Sequence, residues 1–273
     1  MTDTPRPPDR PIARLLRLVL GNFDAPPGKR RIALALAYGA LCHFVFAAAV
    51  LWMFWTLYNG MTTGFGAVPW PWAALTNLAL LLQFPVLHSL LLNGKFASWP
   101  ARVFPEPYGP VLASTTYTIF ASLQLLALFL LWTPSGIVWW QAEGGAKVAV
   151  TLLNLAAWGF LMKSNLDAGA ELQSGALGWM SLLQKRKPNY PDMPQTGIFR
   201  FIRQPIYLGF ALTLWTVPTW TPDQLALALG LTAYCVIAPR RLKEPRYRRR
   251  FGARYETYQE NTGYMLPKRT GTR

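Results

Sequence analysis

The chain has 273 residues, of which 52% are hydrophobic and only 14% are charged, and its formal net charge is +15. A soluble domain carries about 25% charged residues, and the apolar residues here form long continuous runs, so the composition excludes an ordinary soluble domain and predicts a membrane protein. Seven Lys and Arg residues fall within residues 1–31 and eleven within 240–273, which favours attraction to a lipid bilayer with anionic headgroups over nucleic-acid binding.

The first 31 residues are predicted to be a basic N-terminal tail in the cytoplasm. Met1–Asp9 is polar and proline-rich, and no cleavage site follows a short apolar core, so a cleavable signal peptide is not expected. Six apolar runs come next, each a predicted transmembrane helix: Ile32–Tyr58, Trp70–Asn93, Pro110–Trp132, about Lys147–Met162, Pro205–Trp220 and Pro222–Ala238.

The first four runs form a predicted four-helix transmembrane part over residues 32–162, and the last two form a tight hairpin because almost no loop joins them. These last two runs have about 15 to 17 residues each, whereas a full span needs about 20. An alternative with five spans and a partly inserted hairpin therefore stays open.

Positive charge alternates from loop to loop. Lys and Arg are dense before the first run, between the fourth and fifth and after the sixth, and they also occur between the second and third. They are absent between the first and second runs and between the fifth and sixth, and Lys147 alone borders the loop between the third and fourth. The pattern predicts six crossings with both termini in the cytoplasm, in the bacterial inner membrane.

Two predicted segments lie outside the bilayer on the cytoplasmic side. Residues 163–204 form a connector in which Asp167–Gln184 can be an amphipathic helix, and Lys185–Pro188 ends it. Residues 205–273 contain the hairpin and a basic, aromatic tail with a short juxtamembrane helix. The predicted fold is therefore an all-α, polytopic membrane helical bundle with a cytoplasmic C-terminal helical tail.

Few residues in the apolar runs can carry chemistry. Cys42 and Cys235 both lie inside apolar runs, so neither a disulfide framework nor a metal site is predicted. His88 is close to the cytoplasmic end of the second run and is the one candidate catalytic base, although taken alone a single histidine there is better explained by a hydrogen bond to a neighbouring helix or to interfacial water. His43, in the middle of the first run, is interpreted as a helix-contact residue.

The C-terminal third is richer in polar and aromatic residues. Pro205 suits the first turn of a helix, and Arg203 lies just before it. Because the hairpin is tight, it returns the Arg203–Tyr207 region to the neighbourhood of Glu244 and Tyr255. The resulting cleft opens to the cytoplasm and can hold a zwitterion: a guanidinium for a carboxylate, a carboxylate for an ammonium, and aromatic rings for a heterocycle or a sulfonium.

These residues also form a recognisable motif, namely Gly197–x–Phe199–Arg200–x–x–Arg203–Gln204–Pro205–x–Tyr207–x–Gly209, then Lys243–Glu244, Phe251–Gly252–x–x–Tyr255–x–x–Tyr258 and Pro267. The motif resembles that of the isoprenylcysteine carboxyl methyltransferase-like membrane methyltransferase superfamily. Three further segments resemble its nurim/NnrU/methanethiol S-methyltransferase branch: Leu87–Ser89 with Phe96, Trp99, Arg102 and Pro105; Ser114–Tyr117; and Trp132–Gly136.

The resemblance implies that S-adenosyl-L-methionine binds between the last hairpin and the cytoplasmic tail. The cofactor-binding residues that it implies are Arg200, Arg203, Gln204, Pro205, Tyr207, Glu244, Tyr255 and Tyr258. The implied methyl acceptor is a small thiol, a prenyl-cysteine or a lipid-like molecule, attacked in line with the sulfonium methyl, and no metal takes part. The oligomeric state is left open.

Two positions depart from the family motif. Gln204 replaces the usual His, and Lys243 replaces the first member of the usual Glu pair; we expect Lys243 to turn toward lipid headgroups while Glu244 serves the site. Both departures favour an alternative function as a non-catalytic, nurim-like membrane scaffold. A further alternative is a membrane reductase, in which the C-terminal arginines would bind the 2′-phosphate of NADPH.

Overall fold

The computed structural model describes residues 11–268, and this part of the chain is almost entirely helical. Its α-helices are α1 Pro11–Leu20, α2 Lys29–Tyr58, α3 Trp72–Leu90, α4 Tyr108–Leu130, α5 Gly144–Gln173, α6 Ala176–Leu183, α7 Pro205–Trp215, α8 Pro222–Ala238, α9 Glu244–Phe251 and α10 Ala253–Asn261. Short 3₁₀ segments cover Gly94–Arg102 and Gly197–Arg200, a π-helical turn over Pro239–Lys243 joins α8 to α9, and two-residue strands β1 Trp140–Gln141 and β2 Thr219–Trp220 pair antiparallel.

Five stretches of the described residues are long and apolar enough to cross a membrane: α2, α3, α4, α5 and the continuous helix from Pro222 to Phe251. Many of their large apolar side chains point outward, such as Phe44 with 74% of its surface exposed and Leu152 with 62%, as lipid-facing residues do. The predicted all-α, polytopic membrane bundle is confirmed, and the protein is an integral membrane protein. Helix α7 has 11 residues and spans about 16 Å, roughly half of the hydrocarbon thickness.

The hairpin of α7 and α8 follows the prediction closely at one helix and less closely at the other. Helix α8 has the predicted bounds, because the Thr221 side chain accepts a hydrogen bond from the backbone N–H of Gln224 and Pro222 occupies the first turn. Helix α7 ends at Trp215 rather than at Trp220, because Thr219 and Trp220 form strand β2 against β1.

Helix α5 is longer than the predicted fourth run and continues to Gln173. Gly169 interrupts it with φ = 106°, a left-handed backbone conformation that an L side chain rarely adopts. The predicted amphipathic helix over Asp167–Gln184 is therefore wrong as one element: its first part ends α5 and its second part is the separate helix α6.

The segment predicted as an N-terminal tail contains a helix. Helix α1 packs against α5 and α6, and Arg14 forms an ion pair with Glu171, whose side chain is 1% exposed. The Gln184 amide fixes the end of α1 by donating to the Leu18 carbonyl at 2.6 Å. Met1–Asp9 and the residues after Lys268 lie outside the described residues.

Two groups of buried side chains hold the bundle together. The larger group joins α2, α4, α7 and α8 near the end of the bundle that carries β1 and β2; its members include Met53, Leu57, Phe129, Leu214, Leu227 and Leu231. The smaller one joins α2, α4 and α6 through Ala35, Leu112, Leu182 and Leu183. Helix α7 also packs closely on α5, because a Cβ atom at Gly209 would lie 2.9 Å from the Leu161 Cα.

The interpretation of His43 as a helix-contact residue is confirmed. Cys42 and Cys235 are both free and buried. His43 accepts a hydrogen bond at Nε2 from the Trp179 indole at 3.0 Å, so it joins α2 to α6.

Candidate functional site

The candidate site lies where the C-terminal tail returns to the start of α7. The backbone N–H of Arg203 donates to the Gly263 carbonyl at 2.8 Å, and that of Gln204 donates to the Tyr264 carbonyl at 3.0 Å. Pro205 follows as the buried first residue of α7. These four backbone positions fix the tail across the end of the hairpin at which α7 begins, as the sequence predicts.

Arg203, Gln204 and Glu244 form one buried polar cluster. Glu244 Oε1 accepts hydrogen bonds from Arg203 Nε at 3.1 Å and from Gln204 Nε2 at 3.0 Å, and its Oε2 accepts from Gln259 Nε2 at 2.9 Å. Arg203 Nη1 donates to the backbone carbonyls of Gln259 and Thr262. The guanidinium and the carboxylate that the sequence predicts to bind a ligand are thus also partners of each other.

Lys243 points into the protein, so the expectation that it faces lipid headgroups is wrong. Its Nζ donates to Gln204 Oε1 at 2.9 Å. It also lies 5.4 to 5.9 Å from the ring centroids of Phe199, Tyr207 and Tyr247, within the range of cation–π attraction. The amide oxygen and the rings supply inward partners that an ammonium at the headgroups would lack.

Two small pockets meet at Lys243. The first has about 200 Å³ of empty space, part of it open to solvent, and its walls include Phe199, Arg203, Gln204, Lys243, Tyr247, Tyr255 and Tyr258. The second has about 220 Å³, and its walls include Ser89, Asn93, Tyr207, Tyr234, Leu242, Lys243 and Arg246. We call them the tail pocket and the hairpin pocket; Lys243 lines both.

Most of the predicted cofactor-binding residues lie in the wall of one of the two pockets or are buried beside it. Arg203, Gln204, Tyr255 and Tyr258 line the tail pocket, Tyr207 lines the hairpin pocket, and Pro205 and Glu244 are buried beside them.

Arg200 is not brought into either pocket: the 3₁₀ turn of Gly197–Arg200 directs its side chain outward, where it lies 5.9 Å from the Phe201 ring.

Sequence reasoning did not single out Tyr234, Arg246 and Tyr247. A helical continuation beyond Ala238 would have placed Lys243, Arg246 and Tyr247 on one face, since residues three and four apart are neighbours on a helix.

The tail side of the site keeps its tyrosines protonated. Burial raises the pKa of the Tyr255 and Tyr258 phenols well above their usual value. Tyr258 donates from its hydroxyl to the Phe199 carbonyl at 2.6 Å. The tail pocket therefore offers uncharged aromatic rings beside one guanidinium and the Lys243 ammonium.

Helix α3 reaches the hairpin pocket through Ser89 rather than through His88. The Ser89 hydroxyl lies 3.1 Å from the Tyr234 hydroxyl, whereas His88 Nε2 lies 2.9 Å from the Tyr117 hydroxyl on α4. Gln83, another polar residue of this helix, donates to the Gln124 carbonyl at 2.8 Å. Both His88 and Gln83 thus join α3 to α4, and the role of His88 as a base stays a prediction.

A methanethiol S-methyltransferase from Pseudomonas deceptionensis is 30% identical to this chain over 200 residues, which cover 72% of this chain and 74% of that protein. The chain belongs to the methanethiol S-methyltransferase family. Another methanethiol S-methyltransferase, from Pseudomonas sp. (strain GM41(2012)), is 26% identical over 249 residues, 87% of this chain and 92% of the relative.

The chain is also similar to nurim, a eukaryotic member of the same branch. Nurim from Mus musculus is 29% identical over 171 residues, which cover 59% of this chain and 63% of nurim. No family model and no solved structure matches the chain. The resemblance inferred from the C-terminal motif is therefore confirmed for both the methyltransferase and the nurim members of the branch.

Proposed function

We propose that this chain transfers the methyl group of S-adenosyl-L-methionine to the sulfur of a small thiol. The observation that carries the proposal is a pair of small pockets that both have Lys243 in their walls. The walls of one are rich in aromatic rings, and those of the other include the hydroxyl groups of Ser89 and Tyr234. Relatives named for methyl transfer to methanethiol support the same reaction class. We place this chemistry at the cytoplasmic face of the inner membrane, with both termini in the cytoplasm.

The tail pocket suits S-adenosyl-L-methionine in its chemistry. Arg203 would bind the carboxylate, and the rings of Phe199, Tyr247 and Tyr255 would face the adenine and the sulfonium. Ligand pockets usually enclose about 300–1,000 Å³, whereas the tail pocket has a free volume of only about 10 Å³, roughly that of one water molecule. We therefore expect the tail to move outward when the ligand enters.

When bound, S-adenosyl-L-methionine supplies a methyl group on a positively charged sulfur that is already reactive. The residues of this chain then have to align the acceptor sulfur with that methyl group and exclude water. Tyr207 and Lys243 are suited to this alignment, because Lys243 lines both pockets and its ammonium lies 5.5 Å from the Tyr207 ring.

The hairpin pocket favours a small acceptor. Its free volume is about 10 Å³, roughly that of one water molecule, so a short-chain thiol needs less widening of the pocket than a prenyl-cysteine or a lipid. Its wall combines the apolar Leu92, Ala238 and Leu242 with the hydroxyl groups of Ser89 and Tyr234, which match the carbon and sulfur ends of such a thiol.

A second candidate function, a non-catalytic scaffold, is favoured by one observation. Both oxygens of the Glu244 carboxylate accept hydrogen bonds from groups of the protein itself, from Arg203, Gln204 and Gln259. A carboxylate whose hydrogen bonds are all made within the protein can also serve only to hold the tail against the hairpin. The two functions differ in whether the protein binds the cofactor product.

The deciding experiment is calorimetry of the detergent-purified protein with S-adenosylhomocysteine, followed by transfer of a labelled methyl group from S-adenosyl-L-methionine to methanethiol. We expect binding, and methylation that depends on both substrates. Arg203→Lys should weaken binding about tenfold, since a lysine cannot replace a guanidinium fork, whereas the matched exposed variant Arg200→Lys should bind normally. No binding at millimolar ligand would refute the proposal and leave the scaffold.

A further inference from the structure

The hairpin pocket is unusual in its charge. Two of its lining residues are basic, Lys243 and Arg246, and no described residue in its lining is acidic. Arg246 is held in place because its Nη1 donates to the Leu92 carbonyl at 2.9 Å. A small pocket with cations, hydroxyl groups and apolar carbons suits a small anion that has an apolar end.

The other ionisable groups around Lys243 leave this positive charge uncompensated. The nearest carboxylate, Glu244, is paired with Arg203 at 3.1 Å. The remaining titratable side chains in the walls of the two pockets are phenols that are neutral near pH 7, namely Tyr207, Tyr234, Tyr247, Tyr255 and Tyr258. Neither His88, which hydrogen-bonds with Tyr117 on α4, nor the buried Cys235 is among the lining residues of either pocket.

Lys243 also has the position that a group acting on the acceptor needs. It is shared by the walls of both pockets, so its ammonium lies between an acceptor bound in the hairpin pocket and a methyl donor bound in the tail pocket. Its hydrogen bond to Gln204 Oε1 at 2.9 Å holds the ammonium at this junction.

We infer that the hairpin pocket binds the acceptor as a thiolate, and that Lys243 supplies the positive charge that favours its ionisation. The inference rests on the proposed function and adds the residue that activates the nucleophile. The thiol releases its proton to water; a lone pair of the thiolate sulfur then forms the new S–C bond. The bond between the methyl group and the sulfonium breaks, and its electron pair stays on that sulfur, so both products are neutral at sulfur.

The size of the effect follows from general electrostatics. A positive charge within about 4–6 Å lowers the pKa of an acid by about 1–3 units. Below the pKa of the thiol, each unit raises the thiolate fraction tenfold. Because Arg246 keeps its charge in the same wall, removal of the Lys243 charge should have an effect in the lower part of this range, about 10- to 100-fold on methyl transfer near pH 7.

The test measures the single-turnover rate of methyl transfer from labelled S-adenosyl-L-methionine to saturating ethanethiol between pH 6 and 11. Wild-type protein, Lys243→Met, Lys243→Arg and the exposed-lysine control Lys187→Met are compared. We expect the rate of the wild type to rise with pH and to level off below the solution pKa of the thiol. In Lys243→Met the inflection should move up by one to two pH units, while Lys243→Arg and Lys187→Met should keep it.

Three outcomes would overturn the inference: an unchanged inflection in Lys243→Met, an equal loss of rate at every pH, or a wild-type inflection at the solution pKa of the thiol. The last of these needs no variant and so does not depend on the folding of Lys243→Met. Calorimetry with S-adenosylhomocysteine separates the two hypotheses. If the wild type neither binds S-adenosylhomocysteine nor methylates a thiol, the proposed function fails. If the wild type is active but the inflection of its pH–rate profile does not depend on the Lys243 charge, only the thiolate inference fails.

Discussion

Arg203 and Glu244 are 41 positions apart in the chain, and Arg203 Nε lies 3.1 Å from Glu244 Oε1 in an ion pair whose two side chains are 9% and 7% exposed. The pair joins the segment before α7 to the first residue of α9, on the other side of the hairpin. Both the tail and the walls of the tail pocket therefore depend on it.

Glu244→Ala should lower the free energy of unfolding by about 3–5 kcal/mol, because it leaves the Arg203 guanidinium buried without its partner. Glu244→Gln should cost less, since the amide oxygen still accepts hydrogen bonds. Chemical denaturation in detergent, followed by tryptophan fluorescence, measures both changes.

The matched control is the exposed ion pair between Arg254 and Asp192, in which each side chain is 51% exposed. Asp192→Ala should change the free energy of unfolding by less than about 1 kcal/mol, because water screens the pair. If Asp192→Ala and Glu244→Ala lowered the free energy of unfolding equally, burial of the Arg203–Glu244 pair would add nothing to its contribution to stability.

His88→Gln tests the remaining sequence prediction about catalysis. If His88 is the base, the rate of methyl transfer should fall by about 10²–10⁴-fold, with unchanged affinity for S-adenosylhomocysteine. Tyr117→Phe, which removes the hydrogen-bond partner of His88, is the companion variant. A His88→Gln protein with a normal rate would reduce this histidine to a helix contact.

Asp223 should matter for stability and not for the site. Its carboxylate accepts hydrogen bonds from the Trp132 indole at 3.0 Å and from the Ser135 backbone N–H at 2.9 Å. Asp223→Ala leaves these donors without an acceptor and should cost about 3 kcal/mol. Denaturation and calorimetry on the same preparation check the prediction, and a large loss of S-adenosylhomocysteine affinity in the folded variant would contradict it.

The membrane orientation can be tested by cysteine labelling. With Cys42 and Cys235 replaced by Ala, a cysteine at Thr62 should react with an impermeant maleimide in intact spheroplasts, because its loop has no basic residue. A cysteine at Lys187, in the basic connector, should react only after permeabilisation. The reverse pattern of labelling would invert the proposed topology.

The membrane helices were predictable because their signals are local. The start of α8 shows how, since a Thr cap and a following Pro are visible in the sequence and are used as such in the structure. Helix α1 could also have been predicted, because Ile12, Leu16 and Val19 repeat at helical spacing.

The inner arrangement of the site was harder to predict because it depends on contacts between distant segments. The inward direction of Lys243 is set by the Gln204 amide and by rings from three separate elements. The continuation of α5 past the apolar run is likewise tertiary, since Asp167 accepts a hydrogen bond from the Ile198 backbone N–H 31 positions later. A motif names such residues without fixing where they point.

The small pairing of Trp140–Gln141 with Thr219–Trp220 lies at the end of the bundle opposite to Lys243. The pairing joins the segment before α5 to the turn between α7 and α8, so α5, α7 and α8 are held together at this end of the bundle. If these helices separate, we expect the smallest displacement at the end that the strands join and the largest at the opposite end, near Lys243. We therefore expect a ligand to enter between the ends of these helices near Lys243, which the strands do not join.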